Sequence, residues 1–305
     1  MFSLSKCITQ PKMANALTRC LFVLLAASLL PNTLLAKDIL TSTPVTYMLA
    51  TQLMATTDIS TVYLPPKRYG IERQGNWFAG KGEQRLLTAG SEATVAITLG
   101  ALWPQDSLFV FARQGNIKLI EVDASQSLSP RAKSIATVKY ESGKQSLYAW
   151  LNPNNLGTMA SIVSADLQRV WPKHAKTIEK NQQVLMVKLR QLINQQQQFL
   201  LDKQIDSVVL LSDQLEDFAS ANQLFVVHRL VKAQLDWTEQ DKKSLQLLVE
   251  ESPDVWLLTT KKVSKQLQVL LPNFSNILVI DSLDRWGRAG ITIEQPLLRW
   301  ECESY

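Results

Sequence analysis

Short apolar runs alternate with helical patterns along most of the chain. In the first half, runs rich in β-branched residues have the length of buried strands at 45–50, 61–64, 94–99 and 116–123. Between the last two, residues 103–114 carry apolar side chains at helical spacing. Strands separated by helices predict a parallel sheet with right-handed crossovers.

The segment 65–90 interrupts this pattern with paired prolines and several glycines. Its composition predicts a loop or surface excursion before helical residues that precede Thr94. Trp77 and Trp103 lie in such loop-like sequence, where an exposed ring is a candidate for lining a ligand cleft. Lys67 and Arg68 are candidate contacts for an anionic ligand, and a solvated loop is the alternative.

The second half repeats the alternation more regularly. Its predicted strands are 207–211, 224–228, 254–258 and 277–281, and the helices between them are 214–221, 238–251 and 261–271. Thr238 with Asp241 is typical of a capping box, although Asp replaces the preferred Glu. We therefore predict a second α/β domain with a four-stranded sheet.

The segment 172–202 lies between the halves and predicts one long helix. Pro172 suits a first helical turn, and apolar residues recur at helical spacing at Ile178, Leu185, Leu189, Leu192 and Phe199. At a rise of 1.5 Å per residue such a helix is about 45 Å long. We expect it to pack along both domains.

The N-terminal residues 1–36 are typical of a cleavable signal peptide. Three cations precede an apolar run at 20–30, and Ala36 offers a cleavage site before Lys37. The run is too short to span a bilayer, and no cysteine follows it in the position of a lipid anchor. We predict export to the periplasm as a free, soluble protein.

Charge and cysteine content narrow the function classes. The whole chain has 32 Lys and Arg against 27 Asp and Glu, a net charge of +5, and removal of three signal cations leaves about +2. This balance gives no electrostatic case for nucleic acid as a partner.

Cys302 is the one cysteine beyond the signal, so no intramolecular disulfide is expected in the mature chain. Its thiol is either inert or forms a disulfide between two molecules. We expect a monomer.

Catalytic motifs are missing from the sequence. There is no Gly-x-Ser-x-Gly, phosphate-binding glycine loop, Cys-x-x-Cys or His-Glu-x-x-His. A hydrolase using Asp213 and Asp281 as a carboxylate pair is conceivable, but nothing in their spacing favours it. We therefore expect that the protein is not an enzyme and uses no cofactor.

Three blocks resemble segments of the zinc and manganese solute-binding proteins of ABC transporters. They are Leu147–Leu156, which contains Trp-Leu-Asn-Pro, Leu210–Phe218, and the strand with its following residues at Ile277–Leu283. The resemblance implies an α/β fold of two lobes, each a parallel sheet with helices on both faces, joined by a long backbone helix. It also implies lobes at 37–171 and 203–305, a transported divalent metal bound between them, and an ABC permease of the inner membrane as partner.

The same resemblance assigns a candidate metal site. Asp281 matches a ligand Asp of the family, and Asp213 matches the Asp beside another ligand. Tyr148 and Ser212 fall where the family has metal-binding residues, usually His. Because ligands collect beyond the carboxyl ends of parallel strands, these positions lie where a cleft is expected.

The ligand set departs from the family, which leaves alternatives open. The family's first ligand His has no match, since 67–77 occupies that region, and neither His174 nor His228 lies at a ligand position. His228 ends a strand and is a candidate for lining the cleft, or it is a satisfied, partly buried histidine. Tyr148 can pack in the core, and Asp213 can cap a helix. The alternative functions are binding of a metal complex or small organic solute, or a non-binding interaction protein.

Overall fold

The computed structural model describes residues 38–128, 134–140 and 142–304. The predicted signal peptide lies outside these residues. Within the described ranges, no helix is both long and apolar enough to cross a bilayer.

The first sheet has four parallel strands in the order β2-β1-β3-β4. These strands are β1 Ile39–Thr41, β2 Thr61–Tyr63, β3 Val95–Thr98 and β4 Ile120–Asp123. The helices that accompany them are α1 Pro44–Leu53, α2 Ile71–Phe78, α3 Glu83–Glu92 and α4 Leu108–Gly115.

The prediction of a strand at 45–50 is wrong, because these residues belong to α1. Thr43 and Thr46 form a capping box and Pro44 occupies the first turn, so the local sequence starts a helix. Helix α1 is buried on almost all sides. It therefore lacks the polar face that would have distinguished it from a buried strand.

The predicted loop at 65–90 is also wrong, because it contains α2 and most of α3. The glycines of this region serve helix packing. A Cβ atom on Gly90 would overlap the backbone of Ala112, and one on Gly115 would overlap that of Leu87. The glycines therefore let α3 and α4 approach closely.

The second sheet has five strands in the order β6-β5-β7-β8-β9. They are β5 Ser207–Leu210, β6 Phe225–Arg229, β7 Trp256–Thr259, β8 Ile277–Val279 and β9 Glu303–Ser304. The first four are parallel as predicted, and β9 adds an antiparallel edge that is too short to show a sequence period. The helices are α7 Glu216–Ala221, α8 Glu239–Glu251 and α9 Lys265–Leu270, and the capping box of α8 is confirmed. The two long helices α5 Pro153–Val170 and α6 Ala175–Asp202 lie between the two sheets along the chain.

The predicted long helix is confirmed. Helix α5 is followed by a 3₁₀ turn at Pro172–His174, which leads directly into α6. The Asn181 side chain donates to the carbonyls of Leu53 and Ala55 in the first lobe. Near the other end, Gln196 donates to the Trp300 carbonyl, 2.7 Å away, in the second lobe.

One apolar core extends through both sheets and α6, and a smaller one covers the opposite face of the second sheet. Along β5, Val208 and Leu210 belong to the larger core and Val209 to the smaller. This alternation buries both faces of the second sheet, as is typical of parallel sheets. The fold is therefore two α/β lobes joined by a long helix, as predicted.

Candidate ligand site

Trp150 joins two of the three sequence blocks. Its side chain is fully buried, and its indole N–H donates to the Ser282 carbonyl at 3.0 Å. The Trp300 indole N–H in turn donates to the Trp150 carbonyl at 3.2 Å. The block at Leu147–Leu156 therefore lies directly against the segment that follows β8.

Tyr148 is buried next to this junction. It is 5% exposed, and its ring packs edge-on against Trp150, with 5.3 Å between centroids. Burial raises the pKa of its hydroxyl, and the negative charge of Asp284 adds to the effect. The phenol therefore stays protonated at neutral pH, and a neutral hydroxyl is a weak ligand for zinc or manganese.

Asp281 follows β8 and is held by Arg299. The guanidinium donates from Nε to Oδ2 at 2.8 Å and from Nη2 to Oδ1 at 3.0 Å. Oδ1 also accepts from the backbone N–H of Leu283. The carboxylate at the predicted ligand position is thus already paired with a cation of the same chain.

Arg299 is itself satisfied on every side. Its side chain is 9% exposed, and its remaining N–H groups donate to the carbonyls of Trp286, Gly290 and Arg285 at 3.0, 3.3 and 3.0 Å. A buried guanidinium with five such bonds organises the loop that surrounds it.

Ser212 and Asp213 follow β5. Ser212 is half-buried and precedes a 3₁₀ turn at Asp213–Leu215 without capping it through its side chain, and Asp213 is exposed. Asp213 contributes to the raised pKa of Tyr148, so the two residues share one electrostatic environment. Across the described ranges, however, no group of three His, Cys, Asp or Glu side chains is placed to hold a metal ion.

An aromatic cluster lies between the lobes and was missed by the sequence analysis. The Trp286 ring lies 4.7 Å from that of Tyr47 and 4.7 Å from that of Tyr63. The Lys67 ammonium lies 5.3 Å from the Trp286 ring centroid, and the Lys67 carbonyl accepts from Gly287. The sequence signal that could have identified this cluster is the position of Trp286, shortly after the predicted ligand Asp281.

The lobes also meet through backbone contacts beside this cluster. Ile71 donates its backbone N–H to the Asp284 carbonyl at 3.0 Å. A Cβ atom on Gly70 would overlap the Asp284 carboxylate. The region where the family's first ligand was expected therefore contacts the loop after β8.

The prediction that Trp77 and Trp103 are exposed rings is wrong. They are 7% and 6% exposed, and both pack against Phe78, with ring centroids 5.5 and 6.4 Å from it. Trp77 lies in α2 and forms part of the first-lobe core. Its large apolar surface explains this burial.

The two histidines lie away from Asp281. His228 is half-buried on β6, and β5 and β7 separate that edge strand from β8. At about 4.8 Å per strand this is a backbone separation of about 14 Å. His174 contacts the Asp58 carboxylate at 3.0 Å, at the start of the long helix.

A buried carboxyl group, Asp217, lies behind the predicted site. It is 1% exposed, and burial raises its pKa to about 6 while a hydrogen bond with Ser146 opposes the rise. Ser146 also accepts from the Tyr140 hydroxyl and from the Tyr148 backbone N–H, both at 3.2 Å. Asp217 thus belongs to the polar network that positions Tyr148.

Cys302 is half-buried and unpaired among the described cysteines. Burial raises the pKa of its thiol to about 12. It therefore stays protonated at neutral pH, which favours the inert-thiol interpretation.

Neither a family model nor a curated protein matches the sequence. Among solved structures, the chain is similar to ZnuA, with a TM-score of 0.61 and 17% identity, covering 81% of this chain and 92% of that one. For the metal-dependent lipoprotein YcdH from Bacillus subtilis the values are 0.63 and 14%, covering 85% and 90%.

A third similar structure is the Zn(II)-bound ZnuA-like domain of AdcA from Streptococcus pneumoniae. It has a TM-score of 0.61 and 15% identity, covering 85% of this chain and 96% of that one. The fold implied by the sequence resemblance is confirmed. The chain has the two-lobed α/β fold of the ZnuA-like solute-binding proteins.

Proposed function

We propose that this chain is the periplasmic solute-binding component of an ABC transporter of the zinc and manganese class. The observation that carries the proposal is the fold with its linking helix, which three similar solved structures match over 81% to 85% of the chain. Solved proteins of this fold include a Zn(II)-bound domain and a metal-dependent lipoprotein. The proposed partner is an inner-membrane permease, to which the protein delivers its ligand without catalysis.

The proposed metal position is the region around Asp281, with Asp213, Tyr148 and Ser212 as the further candidate ligands. Asp281 lies beyond the carboxyl end of β8, the part of a parallel sheet where ligands collect. A metal ion can use this carboxylate only by competing with the Arg299 guanidinium. Since the other candidates include two neutral hydroxyls, we expect weak binding.

Calorimetric titration of residues 37–305 with zinc and with manganese tests the proposal. We expect weaker binding than a site with three histidines gives, and loss of that binding in Asp281→Ala. Asp254→Ala is the matched control, because it removes an exposed carboxylate on another loop.

Two outcomes would contradict this assignment. Tight zinc binding that survives Asp281→Ala would mean that the ligand positions are misassigned, and His228→Ala would then be the next variant. Absence of binding for both metals would reject a free divalent ion as the ligand.

A further inference from the structure

A cavity of about 820 Å³ opens beside Asp281 in the second lobe. Its walls come from the residues after β7, including Lys261 and Lys262, and from the loop after β8, including Arg288. It therefore lies at the carboxyl ends of two adjacent parallel strands. Its volume is in the range of pockets that hold small organic ligands.

The aspartates of this cavity are neutralised within the chain. Arg299 binds Asp281 through two nitrogen atoms. Arg285 binds Asp284 in the same way, at 2.9 and 3.0 Å. Neither carboxylate therefore offers an unpaired negative charge that could bind a cation.

The remaining charges on the cavity wall are mainly positive. Lys261, Lys262 and Arg288 are exposed side chains at the cavity, and Glu301 is the acid that remains to oppose them. Within the described part of the chain, these three cations make no salt bridge of 4.0 Å or less. The net positive charge of the cavity wall therefore favours anionic ligands.

We propose that this cavity binds a small polyvalent carboxylate anion, either free or as its complex with a metal. The inference rests on the proposed solute-binding function and adds an anionic ligand class, bound in the cavity beside Asp281. Several carboxylates on one small molecule match three cations spread around one cavity, since each lysine or arginine can pair with a separate oxygen pair. A chelated metal would enter this cavity with its charge already offset.

Citrate is the probe for the test, titrated calorimetrically into residues 37–305 alone and with equimolar zinc. We expect citrate to bind, with an affinity that falls as salt is added. The triple variant K261Q/K262Q/R288Q should weaken binding about tenfold or more. The control K176Q/K180Q/R190Q removes the same charge from exposed positions of α6 and should bind like the wild type.

The two forms of the probe identify the source of the anion. Binding of citrate alone indicates a free carboxylate ligand, whereas binding that requires zinc indicates a chelate. Equal binding by the triple variant and the wild type overturns the inference, as does no binding of either form to the wild type. Thermal unfolding of both triple variants verifies that they are folded.

Failure of this inference is distinguishable from failure of the proposed metal site. Zinc binding that depends on Asp281 without any citrate binding supports the metal site alone. Citrate binding without zinc binding supports the anion site and rejects the free metal ion.

Discussion

The Trp150 junction and the Asp281 region are neighbours with opposite relations to the family they resemble. At the junction, Trp150 is fully buried and bonded at its indole N–H and its carbonyl to the second lobe. Next to this junction in space, Tyr148 is a buried phenol and Asp281 is bound by Arg299. The first region keeps the residues of the resemblance, whereas the second keeps only the aspartate.

The difference shows that the lobe junction and the ligand chemistry rest on different residues of the chain. Burial of Trp150 and its two hydrogen bonds stabilise the folded chain by themselves. A carboxylate such as Asp281 needs a positive partner when it is partly buried, and here Arg299 supplies it. The fold can therefore persist while the ligand chemistry changes.

The largest effect is expected at the junction. Trp150→Ala should lower the free energy of unfolding by about 3 to 5 kcal/mol, because it leaves a cavity and removes the bond to Ser282. Urea unfolding measures the change. Phe225→Ala, at a side chain that is 69% exposed, is the control and should change it by less than about 0.5 kcal/mol. Similar losses in both variants would contradict the central role of Trp150.

A smaller loss is expected at Asp281. Asp281→Asn should lower the free energy of unfolding by about 1.5 to 3 kcal/mol, because the buried Arg299 loses its charged partner. Asp284→Asn is the matched control, since its partner Arg285 is 53% exposed and its pair is worth less. Unchanged stability in Asp281→Asn would show that the carboxylate is kept for a ligand alone.

The pH dependence of stability tests the network behind Tyr148. Burial raises the pKa of Asp217 from its ordinary value of 3.8 to about 6 in the folded chain. The stability contributed by its protonated form is therefore complete below the unfolded pKa. It is lost as pH rises through about 6. Asp217→Asn should therefore gain about 1 to 2 kcal/mol over the wild type at about pH 8 and nothing below about pH 4. Urea unfolding at the two pH values measures this difference, and a pH-independent difference would contradict it.

The smallest effects on stability are expected at two residues that precede helical turns, of which Thr238 caps its helix through its side chain and Ser212 does not. Thr238→Ala removes the two hydrogen bonds of the Thr238 hydroxyl, which accepts from the Asp241 backbone N–H and donates to the Asp241 carboxylate, and should cost about 1 kcal/mol. Ser212→Ala removes no such bond and should cost less than about 0.5 kcal/mol. Thermal unfolding compares the two variants. An equal cost at Ser212 would reveal a stabilising role for its hydroxyl.

Local sequence patterns predicted an element correctly where its segment has one clear hydrophobic period or a defined helix cap. The stripe that begins at Ile178 predicted the long helix, and Thr238 with Asp241 predicted the start of α8. They failed at 45–50, where burial on all sides removed the amphipathic signal. They failed again at 65–90, where glycines allow close helix packing instead of a loop.

The sequence by itself determined the alternation of strands and helices, the linking helix and the position of Asp281 after its strand. Only the tertiary structure decided that Arg299, 18 residues later, binds this carboxylate, and that Trp286 packs between Tyr47 and Tyr63. Hydrophobic periodicity indicates which face of a single element is buried, because the face of each residue is determined by its spacing from its neighbours along the chain. The partner of a charge depends on which distant segments folding brings within hydrogen-bond distance.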